Sequence, residues 1–158
     1  MTENSSDCRV CSQNGGEGRI SPGAVIYEGT AWRVEHAYPS SLLGWLVIVL
    51  QRHAEALHEL EPEEAVELGI LQRAVAIALN AKFGTEKEYS ISYGEAPRFS
   101  HLHVHIVPRA FDVAESLRGG RVFAHLKAQD DAVPPAAVSE FCDEFGPLLR
   151  SVLAESRS

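Results

Sequence analysis

From residue 101 the chain reads His-Leu-His-Val-His-Ile-Val, followed by Pro108-Arg109. On a β-strand successive side chains point to opposite faces. His101, His103 and His105 therefore share one face at intervals of about 6.5–7 Å, and Leu102, Val104 and Ile106 share the other. The segment is predicted to be a strand with its apolar face in a core, ending at Pro108. Three imidazoles on the opposite face need partners, because protonated together they repel and buried neutral they require hydrogen bonds. Three readings are open: a surface strand that happens to carry histidines, a metal site using all three, or a nucleophile directed at phosphorus. The last has a chemical basis. Neutral imidazole, with a reference pKa of about 6.5, is nucleophilic at neutral pH, and a phosphoryl-imidazole is itself reactive, so a hard displacement splits into two easier ones.

The surrounding pattern supplies the rest of a sheet. Val25–Glu28 and Ala31–His36 read as short strands joined at Gly29-Thr30. The apolar run Trp45–Leu50 is predicted to be a buried strand, and Tyr89–Tyr93 alternates as a fourth. Pro62 and Gly84 bracket a long helix with Leu68, Leu71, Val75, Ala78 and Leu79 on one stripe. Residues 111–131 read as a loop around Gly119-Gly120. From Pro135 a C-terminal amphipathic helix is expected over 134–158, carrying Val138, Phe141, Phe145, Leu148, Leu149 and Val152, with a kink at Pro147. The order β-β-β-α-β-β-α argues for an α+β fold around a mostly antiparallel five-stranded sheet, and 158 residues suit a single domain.

The formal charge of −8, from 14 Lys and Arg against 22 Asp and Glu, opposes nucleic acid and anionic membranes as partners. A small phosphorylated ligand is compatible with it, because one local site can be positive. Cys8, Cys11 and Cys142 do not make a secreted disulfide framework. The N-terminal segment lacks signal-peptide character, and no apolar run is long enough to span a bilayer, so a cytoplasmic protein is expected. Cys8 and Cys11 form a C-x-x-C pair in a polar leader, residues 1–23, that has no packing pattern of its own. The pair suits a metal knuckle if two further ligands exist, and Cys142 reads as a small buried side chain.

With these residues in place, the chain resembles the histidine triad superfamily of nucleotide hydrolases and transferases. The pattern His-φ-His-φ-His-φ-φ, φ being apolar, is met in full by His101 to Val107. The resemblance implies that His103 is the nucleophile that takes up a nucleoside monophosphate, and that His105 contacts the phosphate and helps set up the leaving group. It implies a small-molecule nucleotide substrate and a homodimer whose sheet continues across the interface. Zinc-containing bacterial members pair C-x-x-C with two histidines, and the matching positions here are Cys8, Cys11, His53 and His101. Two thiolates and two imidazoles suit a structural tetrahedral zinc. His58 reads as solvated.

Three positions depart from the family pattern. Gly44-Trp45 stands where many members carry Gly-His. Residues 95–100 replace the usual Gly-Gln-Ser/Thr segment, leaving Arg98 and Ser100 as candidates for its phosphate-positioning role. Glu35 and His36 are both candidates for the acidic ribose-binding position, and Arg98 and Arg109 flank the histidines as candidate phosphate contacts. The implied activity is cleavage of a phosphoanhydride or phosphoramidate nucleotide through a nucleotidyl-histidine. The alternatives are a nucleotide-binding module with little chemistry and a metal-dependent hydrolase built on the three histidines.

Overall fold

A computed structural model describes residues 7–127 and 131–155; the first six residues of the leader and the last three of the C-terminal segment lie outside the described residues. In chain order the elements are α1 (Arg9–Asn14), β1 (Tyr27–Glu28), β2 (Trp32–His36), β3 (Leu46–Leu50), α2 (Pro62–Phe83), β4 (Lys87–Ile91), β5 (His103–Arg109) and α3 (Pro135–Glu155). The five strands form one antiparallel sheet in the order β1-β2-β3-β5-β4, as the α+β reading requires.

The register explains how the two faces of the sheet acquire different chemistry. Val34, Ile48 and Val104 lie side by side, as do His36, Leu46 and Ile106. These residues form the main core with Leu68, Leu71, Val75, Ala78 and Leu79 of α2 and Phe141, Phe145 and Leu149 of α3. Each large apolar side chain buried in full here contributes about 1.5–3 kcal/mol. On the other face the rows are Arg33–Val49–His103 and Glu35–Val47–His105. That face is covered at one end by Cys8 and Val10 beside α1, and at the other by Val122, Phe123 and Leu126 of a 3₁₀ segment, Gly119–Lys127. Between the two covers His103 and His105 border open space.

Helix α2 carries its own start and stop signals. Glu61 and Glu64 form a reciprocal capping box at its N-terminus, Pro62 occupies the first turn, and Gly84 ends it in the left-handed region at φ 61°. Gly44 is constrained twice over. Its φ is 85°, and a Cβ there would lie 2.5 Å from the Phe83 ring. That turn sets Trp45 at the mouth of β3.

Four local expectations are corrected. The histidine strand begins at His103 and continues through Pro108 to Arg109. Proline is tolerated because the last β3–β5 pair is Leu46 with Ile106, so Pro108 lies past the end of β3 and has only β4 beside it. His101 sits in a bend before the strand, while Leu102 exchanges backbone hydrogen bonds with Ala54 and Leu50. β4 is displaced by two residues to Lys87–Ile91, and Ser92 beyond it donates its hydroxyl to the His103 carbonyl. The leader is not without packing: Cys8 and Val10 are buried, and the Asn14 amide donates to the Leu50 and Gln51 carbonyls. The segment after Phe111 holds two 3₁₀ stretches, Glu115–Leu117 and Gly119–Lys127, organised around buried Val122. The C-terminal helix forms as expected, α3 running from Pro135 to Glu155 with Pro147 inside it.

Candidate functional site

The alternation of residues 103–107 places His103 and His105 next to each other on the open face, their ring centroids 4.9 Å apart. His103 is partly buried, with Nδ1 2.7 Å from the His101 carbonyl oxygen. A carbonyl only accepts, so the proton of neutral His103 resides on Nδ1 and its lone pair is on Nε2. Burial lowers the His103 pKa, which favours this neutral form. His105 is more deeply set. Its Nδ1 accepts a hydrogen bond from the indole N–H of Trp45 at 3.0 Å, and burial and the neighbouring His103 push its pKa down to about 3.

Two spaces meet at this pair. A cavity of about 170 Å³ extends over β2 and β3 between Val47, Val49, Arg33, Glu35 and the leader residues Gln13 and Ser21. A wider groove of about 700 Å³ on the other side is lined by Tyr38, Tyr93, Glu95, Phe99 and Phe123. His103 and His105 border both. The arrangement offers a nucleophilic nitrogen at the junction of two compartments, as a displacement at one phosphorus between two substituents requires.

The remaining predicted site residues divide between this cleft and other places. Glu35 is buried on the cleft face, ion-paired with Arg33 at 2.8 Å. His36 points into the core, where Nδ1 donates to its neighbour's carbonyl at Ala37 and Nε2 accepts from the Gly44 N–H. Arg109 is not brought to the cleft. Its guanidinium pairs with Glu86 at 2.6 Å and borders a separate apolar depression. Arg98 is exposed, in the left-handed region at φ 66°, and its carbonyl accepts the Arg9 N–H. Ser100 is half-buried and does not line either space, whereas its neighbour Phe99 lines both. His58 is exposed and Cys142 is buried.

His101 turns away from its two companions. Its Nε2 donates to the Leu50 carbonyl at 2.7 Å, which leaves Nδ1 as the lone-pair nitrogen, 3.5 Å from both Cys8 Sγ and Cys11 Sγ. His53 Nδ1 lies 3.3 Å from Cys11 Sγ, and its Nε2 is 3.6 Å from Glu55. The four donor atoms lie within 4.8 Å of one another and could hold a metal ion. Ligand–ligand spacings near 3.5 Å are those of a tetrahedron with bonds of about 2.0–2.3 Å. His101 also gives its second nitrogen to an oxygen acceptor, the support that metal-bound histidines ordinarily have, and the second nitrogen of His53 faces the Glu55 carboxylate from beyond hydrogen-bond distance. Burial and the adjacent Cys8 push the Cys11 thiol up to about 11, a cost that a divalent cation between the sulfurs would remove. Among the described residues His103 and His105 are not part of this cluster, so the three histidines do not converge on one point.

A family model described as "Scavenger mRNA decapping enzyme C-term binding", of the histidine triad type, matches residues 15–118. The chain belongs to the histidine triad superfamily. Several solved structures of histidine triad proteins share its fold. A Hit-like protein of Bartonella henselae involved in cell-cycle regulation superposes with a TM-score of 0.71 at 13% identity, over 94% of this chain and 99% of that one. A zinc-bound histidine triad family protein of Mycobacterium smegmatis gives 0.60 at 18% identity, covering 98% of each chain. A histidine triad protein of Sinorhizobium meliloti gives 0.61 at 23% identity, over 82% of this chain and 89% of that one. Comparison with curated proteins finds no match.

Within this histidine triad chain, the cleft contains residues that the sequence did not single out: Gln13, Ser21, Tyr38, Phe99 and Phe123 line it, and Trp45 binds His105. Only Trp45 left a signal, as a departure from the family's Gly-His pair. Gln13 lies in the short α1 and Phe123 in the 3₁₀ segment, and Ser21, Tyr38 and Phe99 come from loops, none with a periodicity that marks it.

Proposed function

We propose that the protein is a nucleotidyl hydrolase or transferase acting on a small nucleotide with a phosphoanhydride or similar phosphorus-linked bond. The observation that carries this reading is His103, whose Nδ1 hydrogen bond to a backbone carbonyl leaves Nε2 unprotonated at the junction of two spaces. In the first step the Nε2 lone pair forms a bond to the α-phosphorus, and the phosphorus–leaving-group bond breaks with its electron pair on the leaving group. The second step is attack by water or another acceptor, with the pair returning to Nε2 and the acceptor's proton released to solvent. His105 lies beside the reacting phosphorus as a hydrogen-bond partner for its oxygens. Glu35, buried on the far side of the smaller cavity, is the candidate for ribose hydroxyls.

In the same reading the Cys8, Cys11, His53 and His101 set binds zinc, with all four positions filled and a structural role. It would anchor the leader beside His101, whose carbonyl in turn orients His103. The unpaired edge of β4 and the exposed stripe of Val66, Ile70 and Ile77 on α2 support a homodimer.

His103→Ala should lower turnover of a dinucleoside polyphosphate by about 10⁴-fold or more while leaving the far-UV spectrum and thermal midpoint close to wild type. Intact-mass analysis of quenched wild type should show a nucleotide adduct that the variant lacks. Tight nucleotide binding without adduct or turnover would favour a binding module, and full activity in His103→Ala would remove the nucleophile assignment.

A further inference from the structure

The two cleft histidines are held by partners of opposite hydrogen-bonding character. His103 Nδ1 faces a carbonyl, which can only accept, and His105 Nδ1 faces an indole N–H, which can only donate. Their neutral tautomers are thereby opposed: His103 carries its proton on Nδ1 and presents a lone pair at Nε2, whereas His105 must carry its proton on Nε2. Trp45 is itself immobile. It has no exposed surface, its carbonyl accepts the Ala37 N–H, and Phe123 packs edge-on at 5.3 Å. Gly44 before it admits no side chain without displacing Phe83. A histidine at this position, as in the pattern from which the chain departs, could donate or accept; tryptophan allows one choice.

We infer that Trp45 is a positioning residue that locks His105 as a neutral Nε2–H donor, and that the site in consequence favours leaving groups that depart as anions. This rests on the nucleotidyl-histidine reading above. With its Nδ1 lone pair occupied by the indole, His105 cannot become an imidazolium without breaking that bond. Surrendering its Nε2 proton would leave an imidazolate in a buried setting, which desolvation opposes. The residue therefore gives a hydrogen bond to a phosphoryl or bridging oxygen and keeps its proton. The first displacement still balances. The His103 Nε2–P bond forms, the P–O bond breaks, and the electron pair leaves on a phosphate or carboxylate oxygen that is stable as an anion. A basic alkylamine leaving group needs a proton in that step, and the locked His105 does not supply it.

The test combines tautomer and selectivity. In ¹⁵N-labelled wild type, long-range ¹H–¹⁵N spectra should give His105 an unprotonated Nδ1 and a protonated Nε2, the reverse of His103. Wild type should cleave a dinucleoside polyphosphate at least about 100-fold faster than the matching nucleoside alkylphosphoramidate, the scale of lost general-acid assistance. Trp45→Phe should mix the His105 tautomers and lower kcat for the polyphosphate by roughly tenfold with KM little changed. Trp45→His, which can also accept, should recover part of that kcat and narrow the preference over the phosphoramidate. A protonated Nδ1 on His105 in wild type overturns the inference without any variant having to fold. So does equal cleavage of both substrates, or a Trp45→Phe enzyme with unaltered shifts and kcat. Inactivity toward both substrates overturns the hydrolase reading and the leaving-group preference with it, and the wild-type shifts separate that outcome from a wrong tautomer.

Discussion

Two histidines of the same strand neighbourhood, His36 and His105, show how far side-chain environment outweighs residue identity. His36 closes the core end of β2, with Nδ1 on the Ala37 carbonyl, Nε2 receiving the Gly44 N–H and the Phe141 ring edge-on at 5.5 Å. Burial holds its pKa down to about 4. The unfolded chain binds a proton near pH 6.5 and the native state resists it until about pH 4. The stability that His36 contributes is thus complete above pH 6.5 and is lost as pH falls, because the unfolded state binds more protons in that window. The loss amounts to roughly 3 kcal/mol for this one residue. Denaturant titrations from pH 7.5 to 4.5 should show a steeper decline for wild type than for His36→Gln, which has no proton to gain; parallel curves would mean that His36 charges in the folded state. The sequence could name His36 as a ribose-site candidate because it follows Glu35, but alternation alone does not say which of the two faces the cleft. The register with Leu46 and Ile106 decides that.

At the scale of elements, α2 and α1 lie at opposite ends of what a sequence can specify. α2 has a capping box, a proline in its first turn, a left-handed glycine at its end and a stripe whose five named residues are all buried. Every local term agrees, so its limits are legible. α1 has six residues, too few to be stable alone in water, and its N-cap makes no side-chain hydrogen bond. It is held by Cys8 and Val10 against Val49, by Asn14 on the β3 end and by whatever joins the two sulfurs to His53 and His101. If that is zinc, purified protein should contain about one ion per chain by elemental analysis. Cys8→Ser should then lose the metal, lower the thermal midpoint and raise amide exchange over residues 8–14 before it does so in α2. Metal-free wild type with the same midpoint and exchange pattern would refute a structural ion. The strand boundaries at His103 and Arg109 belong between these extremes. Alternation located the strand, but its start depends on His101 turning to the cysteines and its end on β4, which pairs with it as far as Arg109.

For the molecule as a whole, the sheet formed by the described residues has β4 at one edge, and α2 exposes Val66, Ile70 and Ile77, the first two bordering the β1 end of the sheet; no described helix is long and apolar enough to cross a membrane. A free edge strand and an exposed apolar stripe each invite association. If two chains associate through the α2 stripe, Ile70→Asp should convert a dimer to a monomer in light scattering after gel filtration, with the isolated fold intact; an unchanged mass would place the interface elsewhere or remove it. The sequence alone determined the α+β class, the histidine strand and the two long helices, because these depend on local periodicity and capping, whereas the four possible metal ligands are those that the family resemblance implies. Tertiary structure alone decided which histidine faces which partner. Strand register brought Glu35, Val47 and His105 into one row, the bend at His101 separated a metal-ligand candidate from the cleft pair, and a turn at Gly44 set an indole against His105. Hydrogen-bond polarity between residues 60 positions apart is a property of packing, so no pattern within either segment could express it.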